Sequence, residues 1–306
     1  MNEWIDKVIG PVIPVPTPFD EKQEIRPDSM ESYSKFLVEN GIRNIMTTVG
    51  TSRYNLLTFD EVKSINTAMV KGMGGKGVSI VANPTVGGVK HAIDFAKHSE
   101  DIGADLLLLY FPERHYGDDN TFKFFETVAK NTNINILVHE MPMRNGFGGP
   151  NQQYSVDLIK RLLEIENIVG LKEEALDADY SNKVVSAVKD DAVIIGAGGG
   201  MSRYLSRDFD LGAKAFLGGI GGFEPHLELE FYEALQSGNK SRAEAIVNEI
   251  EKPYFADVCP LGWHPSLKSA LALKGLMPKF ERQPMKIFTE EENNFMKEVL
   301  RKNSWL

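Results

Sequence analysis

The sequence predicts an α/β protein, a closed (β/α)8 TIM barrel with a C-terminal helical extension, on three observations. Eight short apolar runs alternate with segments of helical periodicity between Val12 and Gly222. These eight units fill about 220 residues, the span a barrel core needs. No strand opens into the G-x-G-x-x-G spacing of an open, doubly wound sheet. The glycine runs Gly196–Gly200 and Gly218–Gly222 lie late in the chain and are spaced differently.

Val12 to Pro16 is the first strand, closed by the Thr17-Pro-Phe-Asp20 turn. A helix follows from Pro27, with Asp28 or Ser29 as cap and Tyr33, Phe36 and Leu37 on one face, ending before Gly41. Ile42–Val49 is the second strand. Thr58 and Glu61 form a capping box for a helix running to Met73. Strand three is Gly77–Ala82 and its helix spans Gly87 to Gly103, with Val89, Ile93 and Ala96 in register. Strand four is Ala104–Tyr110, followed by a helix over Asn120–Asn131. Ile134–His139 is the fifth strand, with a Gly/Pro/Asn loop to Pro150 and a helix over Ser155–Glu164. Strand six runs from Ile168 to Lys172, before a helix at Ala178–Lys189. Strand seven is Ala192–Gly196, before a helix at Met201–Leu211, and strand eight is Lys214–Leu217. Beyond His226 the pattern is wholly helical, over Leu227–Gln236, Lys240–Ala256, Pro265–Leu273 and Thr289–Lys302. We therefore expect a barrel over residues 1–225 and a packed helical appendage over 226–306.

The 306 residues are 42% hydrophobic and 25% charged, the balance of a globular protein with a sizeable core. A net charge of −9 argues against a nucleic-acid or acidic-membrane partner. No run approaches the length of a membrane span, and the N-terminus lacks the pattern of a signal peptide. A single cysteine, Cys259, fits a reducing compartment, so a cytoplasmic location is expected.

Barrel active sites lie at the C-terminal ends of the strands. That rule selects Thr17, Gly50 to Arg53, Asn83, Tyr110, His139 to Arg144, Lys172 and the loops at Gly196 and Gly218. Lys172 is the only lysine among them. A lysine at the end of a buried strand sits half in a low-dielectric wall, where burial disfavours the ammonium form. A neutral amine facing a carbonyl forms a Schiff base, which supplies its own electron sink without a cofactor. The competing reading is a strand-end lysine paired with one of the glutamates that follow it, Glu173 or Glu174.

Three segments carry a resemblance: Gly10 to Asp20, Ile136 to Gly146, and Ile168 to Glu174. In this order and spacing the chain resembles the dihydrodipicolinate synthase / N-acetylneuraminate lyase family of class I, pyruvate-dependent aldolases. The resemblance covers nearly the whole chain, and the lysine segment is its most specific part. It implies a (β/α)8 barrel, a homo-oligomer (dimer or tetramer), and condensation of Lys172 with pyruvate or another 2-keto acid. It assigns the keto-acid carboxylate to the turn after strand two, here Gly50, Thr51 and Ser52, and the distal end of the substrate to Arg144. This chain departs from the family pattern at three points. Gly50 stands at the first hydroxyl position of the turn, Arg53 at the usual glutamate, and His139 at the tyrosine that shuttles protons. Histidine moves protons readily near neutral pH, so it is the candidate relay.

His139 and Glu140 point to opposite faces of their strand and have no H-x-H or H-E-x-x-H around them, so no metal site is expected. His115 and Tyr116 read as solvated loop residues. Backbone N–H groups at Gly196 and Gly218 are expected to line the substrate site, either leaving room beside the Schiff base or cradling a phosphate. The expected activity is that of a Schiff-base lyase, an aldolase or hydro-lyase acting on pyruvate or a 2-keto (sugar) acid; the alternatives are a non-catalytic keto-acid-binding or regulatory barrel and a dihydrodipicolinate-synthase-like condensing enzyme with an altered proton relay.

Overall fold

The structure, a computed structural model, describes residues 2–112, 117–140, 153–175 and 177–306. Eight strands close into a barrel in chain order. They are β1 Gly10–Pro14, β2 Asn44–Thr47, β3 Val78–Ala82, β4 Leu106–Leu109, β5 Asn135–Glu140, β6 Ile168–Glu173, β7 Val193–Gly196 and β8 Ala215–Leu217. Every pair whose register is described is parallel, and β1 meets β8 through Gly10 opposite Ala215. Parallel strands covered on both faces read as continuous apolar runs rather than alternating ones, and β4, Leu-Leu-Leu-Leu, is the clearest example.

Between and beyond the strands lie α1 Trp4–Lys7, α2 Pro27–Glu39, α3 Phe59–Met73, α4 Gly88–Asp101, α5 Asp118–Ala129, α6 Val156–Leu163, α7 Ala178–Val188 and α8 Gly200–Arg203. The C-terminal helices are α9 Pro225–Gln236, α10 Lys240–Ala245, α11 Lys252–Val258, α12 Trp263–Leu273 and α13 Glu290–Lys302. The capping box at Thr58 and Glu61 is present, with Thr58 N–H donating to Glu61 Oε2 at 2.8 Å. At α2 the expected cap is absent. Proline opens the helix at Pro27, where a missing N–H costs nothing, and Asp28 instead binds the Arg26 guanidinium. Two helices predicted as regular contain π-helical turns, Tyr204–Asp208 and Ile246–Glu251. Helix α1 is too short to show periodicity; Asn2 ties it down by donating to Val169 O at 2.7 Å.

The chain forms two compact units. Residues 1–12 and 78–217 make one, holding β3 to β8 and α4 to α8, with Leu106, Leu107, Leu137, Leu171 and Ile195 in its core. Residues 13–77 and 218–306 make the other, holding β2, α2, α3 and α9 to α13. Its core includes Ile45, Ile65, Met69, Phe231 and Leu271. Near its C-terminus Trp305 packs edge-on against Phe223 and Tyr254. Among the described residues no helix is long and apolar enough to cross a membrane.

The register of β5 on β6 matters most for function. An irregularity between Ile136 and Leu137 resets the pairing, after which His139 lies opposite Lys172 and Glu140 opposite Glu173. Side chains alternate along a strand, so His139 and Lys172 share one face and the two glutamates share the other. Both glutamates are buried. Glu173 is fully engaged, accepting from Ala175 N–H, the Ser181 hydroxyl and the Arg203 guanidinium. Burial, then the charge of Glu173, pushes the Glu140 carboxyl up to about 8.

A carboxyl raised in the folded state, against 4.5 in the unfolded chain, contributes stability that is whole below about pH 4.5 and is lost as pH rises to about 8. The loss is on the order of a few kcal/mol. Glu140→Gln keeps the shape without the charge. Its Tm relative to the parent is expected to climb by several degrees between pH 5 and pH 8. A difference in Tm that stays constant across that range would show that Glu140 is ionised throughout.

Candidate active site

Three side chains at the ends of β5 and β6 meet in a triangle. Lys172 Nζ lies 3.0 Å from His139 Nε2 and donates a short hydrogen bond to Glu174 Oε2. His139 Nε2 and Glu174 Oε2 are 2.9 Å apart. Lys172 and His139 are 3% exposed and the Glu174 side chain 18%, so the glutamate is the most exposed corner of the triangle. Strand register brings the first two together, and Glu174, one residue past the end of β6, turns back over them. The Tyr110 ring, at the end of β4, packs edge-on against the imidazole with centroids 4.6 Å apart. Asn83 fixes that corner by accepting from Tyr110 N–H at 2.8 Å.

The electrostatics of the triangle are coupled. Burial, then the charge of Lys172, lowers the His139 imidazolium to about 4, while Glu174 pulls weakly the other way. His139 is therefore neutral across the physiological range. Burial would raise the Glu174 carboxyl, but Lys172 and the hydrogen bond from His139 outweigh it and hold the group well below the usual carboxylate range. His139 Nδ1 has no hydrogen-bond partner among the described residues, so the useful contacts of the ring all run through Nε2. With its proton on Nε2 the ring donates to Glu174. With the proton on Nδ1 it accepts from Lys172. One nitrogen, Nε2, thus serves either as donor to Glu174 or as acceptor from Lys172.

Behind β6 a second buried network braces the lysine strand. Arg203 binds Glu173, Asp208 at 2.9 Å and the carbonyl of Ala197, and Ser181 joins through Glu173. The π-helical turn at Tyr204–Asp208 places Asp208 five residues from Arg203 on the same bracket. Gly196, an expected substrate contact, serves this network in the structure: a Cβ there would lie 2.0 Å from Asp208 Oδ2. The close approach of that carboxylate is why glycine ends β7.

Gly50, Thr51 and Ser52 form a 3-10 turn in the second unit. Ser52 is buried with its hydroxyl donating to Val15 O, and Thr17 Oγ1 donates to Ser52 O. Thr17 was on the strand-end list, and its part is to hold this turn. Gly218 sits in the same unit, where the carboxylate of buried Glu228 takes up the loop. Gly219 N–H donates to Glu228 Oε1 at 2.7 Å, and Cβ atoms at Gly218 and Gly221 would lie 2.0 Å and 2.6 Å from Oε2. The place that the phosphate-cradling alternative would use at Gly218 thus already holds an internal carboxyl group.

Arg144, His115 and Tyr116 lie outside the described residues. Sequence reasoning placed Lys172 and His139 but gave Glu174 only a generic pairing role. Its signal was present: an acid two positions beyond a strand-end lysine falls on the same face if the strand geometry continues. Asp208 and Glu228 carry no such signal, because a helical acid facing a strand-end glycine is visible only in three dimensions.

Comparison with known proteins agrees with this geometry. The model of the dihydrodipicolinate synthetase family matches residues 7–303. A 4-hydroxy-tetrahydrodipicolinate synthase of Archaeoglobus fulgidus is 29% identical over 229 residues, covering 71% of this chain and 74% of that protein. The crystal structure of dihydrodipicolinate synthase from Aquifex aeolicus superposes with a TM-score of 0.80 at 26% identity, covering 97% of this chain and 98% of that one. An N-acetylneuraminate lyase structure from Mycoplasma synoviae shares the fold, with a TM-score of 0.86 at 21% identity over 97% of this chain and 98% of that one. With a buried lysine at the end of the sixth strand of a closed barrel and a family match from end to end, the chain belongs to the dihydrodipicolinate synthetase family and is a class I, Schiff-base-forming lyase.

Proposed function

We propose that Lys172 attacks the 2-keto group of pyruvate or a longer 2-keto acid, and that His139 and Glu174 move the protons as one pair. The observation that carries this reading is the position of buried Lys172 Nζ, in hydrogen-bond contact with both His139 Nε2 and Glu174 Oε2. The nitrogen sheds one proton to the pair and bonds to C2 as the carbonyl π bond breaks, and a second nitrogen proton passes to the oxygen, giving a neutral carbinolamine. The pair returns that proton to the carbinolamine oxygen, which leaves as water, and a cationic iminium remains beside the Glu174 carboxylate. Loss of a proton from C3 to the pair gives the enamine, the common intermediate of aldol cleavage, aldol condensation and dehydration. Groups within about 3 Å of Nζ reach both the departing oxygen and C3, each only two bonds from that nitrogen.

The substrate class we favour is a 2-keto sugar acid. Imidazole in place of phenol at position 139 and a guanidinium at position 53 separate this chain from the condensing pattern of its family. On the family resemblance we assign the keto-acid carboxylate to Thr51 with the Gly50–Ser52 backbone, and the distal end of the substrate to Arg144. We further propose a cytoplasmic homo-oligomer, a dimer or tetramer. Its exposed free thiol at Cys259 is compatible with a reducing compartment.

Two expected outcomes test the chemistry. Intact-mass spectrometry after borohydride reduction with pyruvate should show a single covalent adduct in the parent and none in Lys172→Ala. No adduct with pyruvate or any longer 2-keto acid would leave a binding protein in place of a lyase. Exchange of the pyruvate methyl protons in D2O, followed by NMR, isolates the C3 step. His139→Phe should slow that exchange about 100-fold or more while the adduct still forms. The parent exchange rate should stay level through pH 6–7 and fall only as His139 protonates near pH 4. A limb at pH 6.5 would place the imidazole in open solvent and refute the buried relay.

A further inference from the structure

The Gly50–Ser52 turn is clamped by buried charge within its own unit. Two non-glycine residues with left-handed backbone bracket it, Thr48 at φ +58° and Arg53 at φ +61°. A β-branched residue at positive φ is strained and persists only where its surroundings enforce it. The enforcing contacts are all present. Thr48 Oγ1 donates to Asn66 Oδ1 at 2.9 Å. Ser52 is held by Val15 and Thr17, and Lys268 Nζ in turn donates to Thr17 O at 2.6 Å.

The last contact is the most specific. Arg53, 2% exposed, donates through Nη1 to the carbonyl of Thr51. Through Nη2 it donates to Glu281 Oε1 at 2.9 Å and to His264 O at 3.3 Å. Glu281 is as buried as its partner, and Lys268 Nζ lies 3.9 Å from the same oxygen. The flat, forked guanidinium ties the Thr51 carbonyl to a fixed carboxylate on the far side. With the Thr51 carbonyl anchored by Arg53 and Ser52 held by two neighbours, the Thr51 backbone is restrained on both sides.

We propose that the Arg53–Glu281 pair is a positioning device for the carboxylate of the 2-keto acid, acting through Thr51. The proposal rests on the assignment of this turn to that carboxylate. It also accounts for an arginine where the family pattern carries a glutamate: the position serves the turn from behind, and its charge is cancelled by Glu281.

The test compares pyruvate with methyl pyruvate, which presents the same ketone without the carboxylate, in borohydride trapping by the full-length protein. Two variants are read beside the parent. Arg53→Lys keeps the charge and loses the fork. The paired replacement Arg53→Met with Glu281→Met removes both charges together and so leaves no unpaired ion in the core. In both, the pyruvate concentration for half-maximal adduct should rise at least about tenfold, with unchanged adduct yield at saturation and an unchanged methyl pyruvate titration. A folded variant whose pyruvate titration matches the parent, or one that loses both ligands equally, overturns the positioning role. A parent that forms no adduct with any 2-keto acid overturns the Lys172 reading and this proposal with it.

Discussion

The chemistry of this protein depends on how β5 registers against β6. The irregularity between Ile136 and Leu137 shifts the pairing so that His139 faces Lys172. A slip of one residue would exchange the two faces of β5 and present Glu140 to the lysine instead. That alternative would bury a bare carboxylate against Nζ and send an imidazole into the network around Glu173. The observed register instead separates functions by face. One face carries the Lys172–His139 nitrogen pair, and the other carries Glu140 and Glu173, the latter held by Arg203 and Ser181. The arginine network behind β6 anchors Glu173, and Glu173 is the neighbour of Lys172 in the chain. The lysine is thus rigid at its root and free only at its tip.

The two strand-end glycines show one device used twice. Gly196 meets Asp208 and Gly218 meets Glu228, in each case a buried carboxylate from the following helical segment. Each helix carboxyl fills the space beside its glycine, Asp208 bound by Arg203 and Arg207 and Glu228 by the Gly219 N–H, and so ties helix to strand across the loop. Such an arrangement gives glycine a packing reason at positions where a sequence alone suggests ligand binding. In the Gly218 loop the Glu228 carboxyl, pushed above the usual carboxylate range by burial, occupies the space and takes the Gly219 N–H that a phosphate would need.

Most of the architecture was legible because it is written in local pattern. The continuous apolar runs, the capping box at Thr58 and Glu61, and the helical tail all follow from spacing and composition. Lys172 and His139 were legible because a strand end is a place a sequence can mark. The rest depends on pairings that chain order hides. Arg53 and Glu281 stand 228 positions apart, and nothing around either residue in the chain points to the other. The π-helical turn before Asp208 has the same apolar spacing as an ordinary helix until its hydrogen bonds are seen. The low imidazole of His139 comes from burial and from a neighbouring charge, both properties of the folded state.

The Lys172–Glu174 contact explains how a buried site can host a reaction that begins and ends with a cation. A lone ammonium in this pocket wall would face the full desolvation penalty, and removing one partner of a buried ion pair costs about 3–5 kcal/mol. Schiff-base formation avoids that penalty. In the proposed path the ammonium beside Glu174 before the reaction is replaced by an iminium on the same nitrogen after loss of water. The free amine, the carbinolamine and the enamine are neutral there, and in each the proton taken from the nitrogen or from C3 rests on the His139–Glu174 pair, which offsets the lost charge. The net charge of the pocket stays constant along the path. Constant charge in a low-dielectric site means little solvent must reorganise as the bonds change, and this is the electrostatic reason for placing a glutamate and a neutral histidine, rather than a second cation, around the reacting amine.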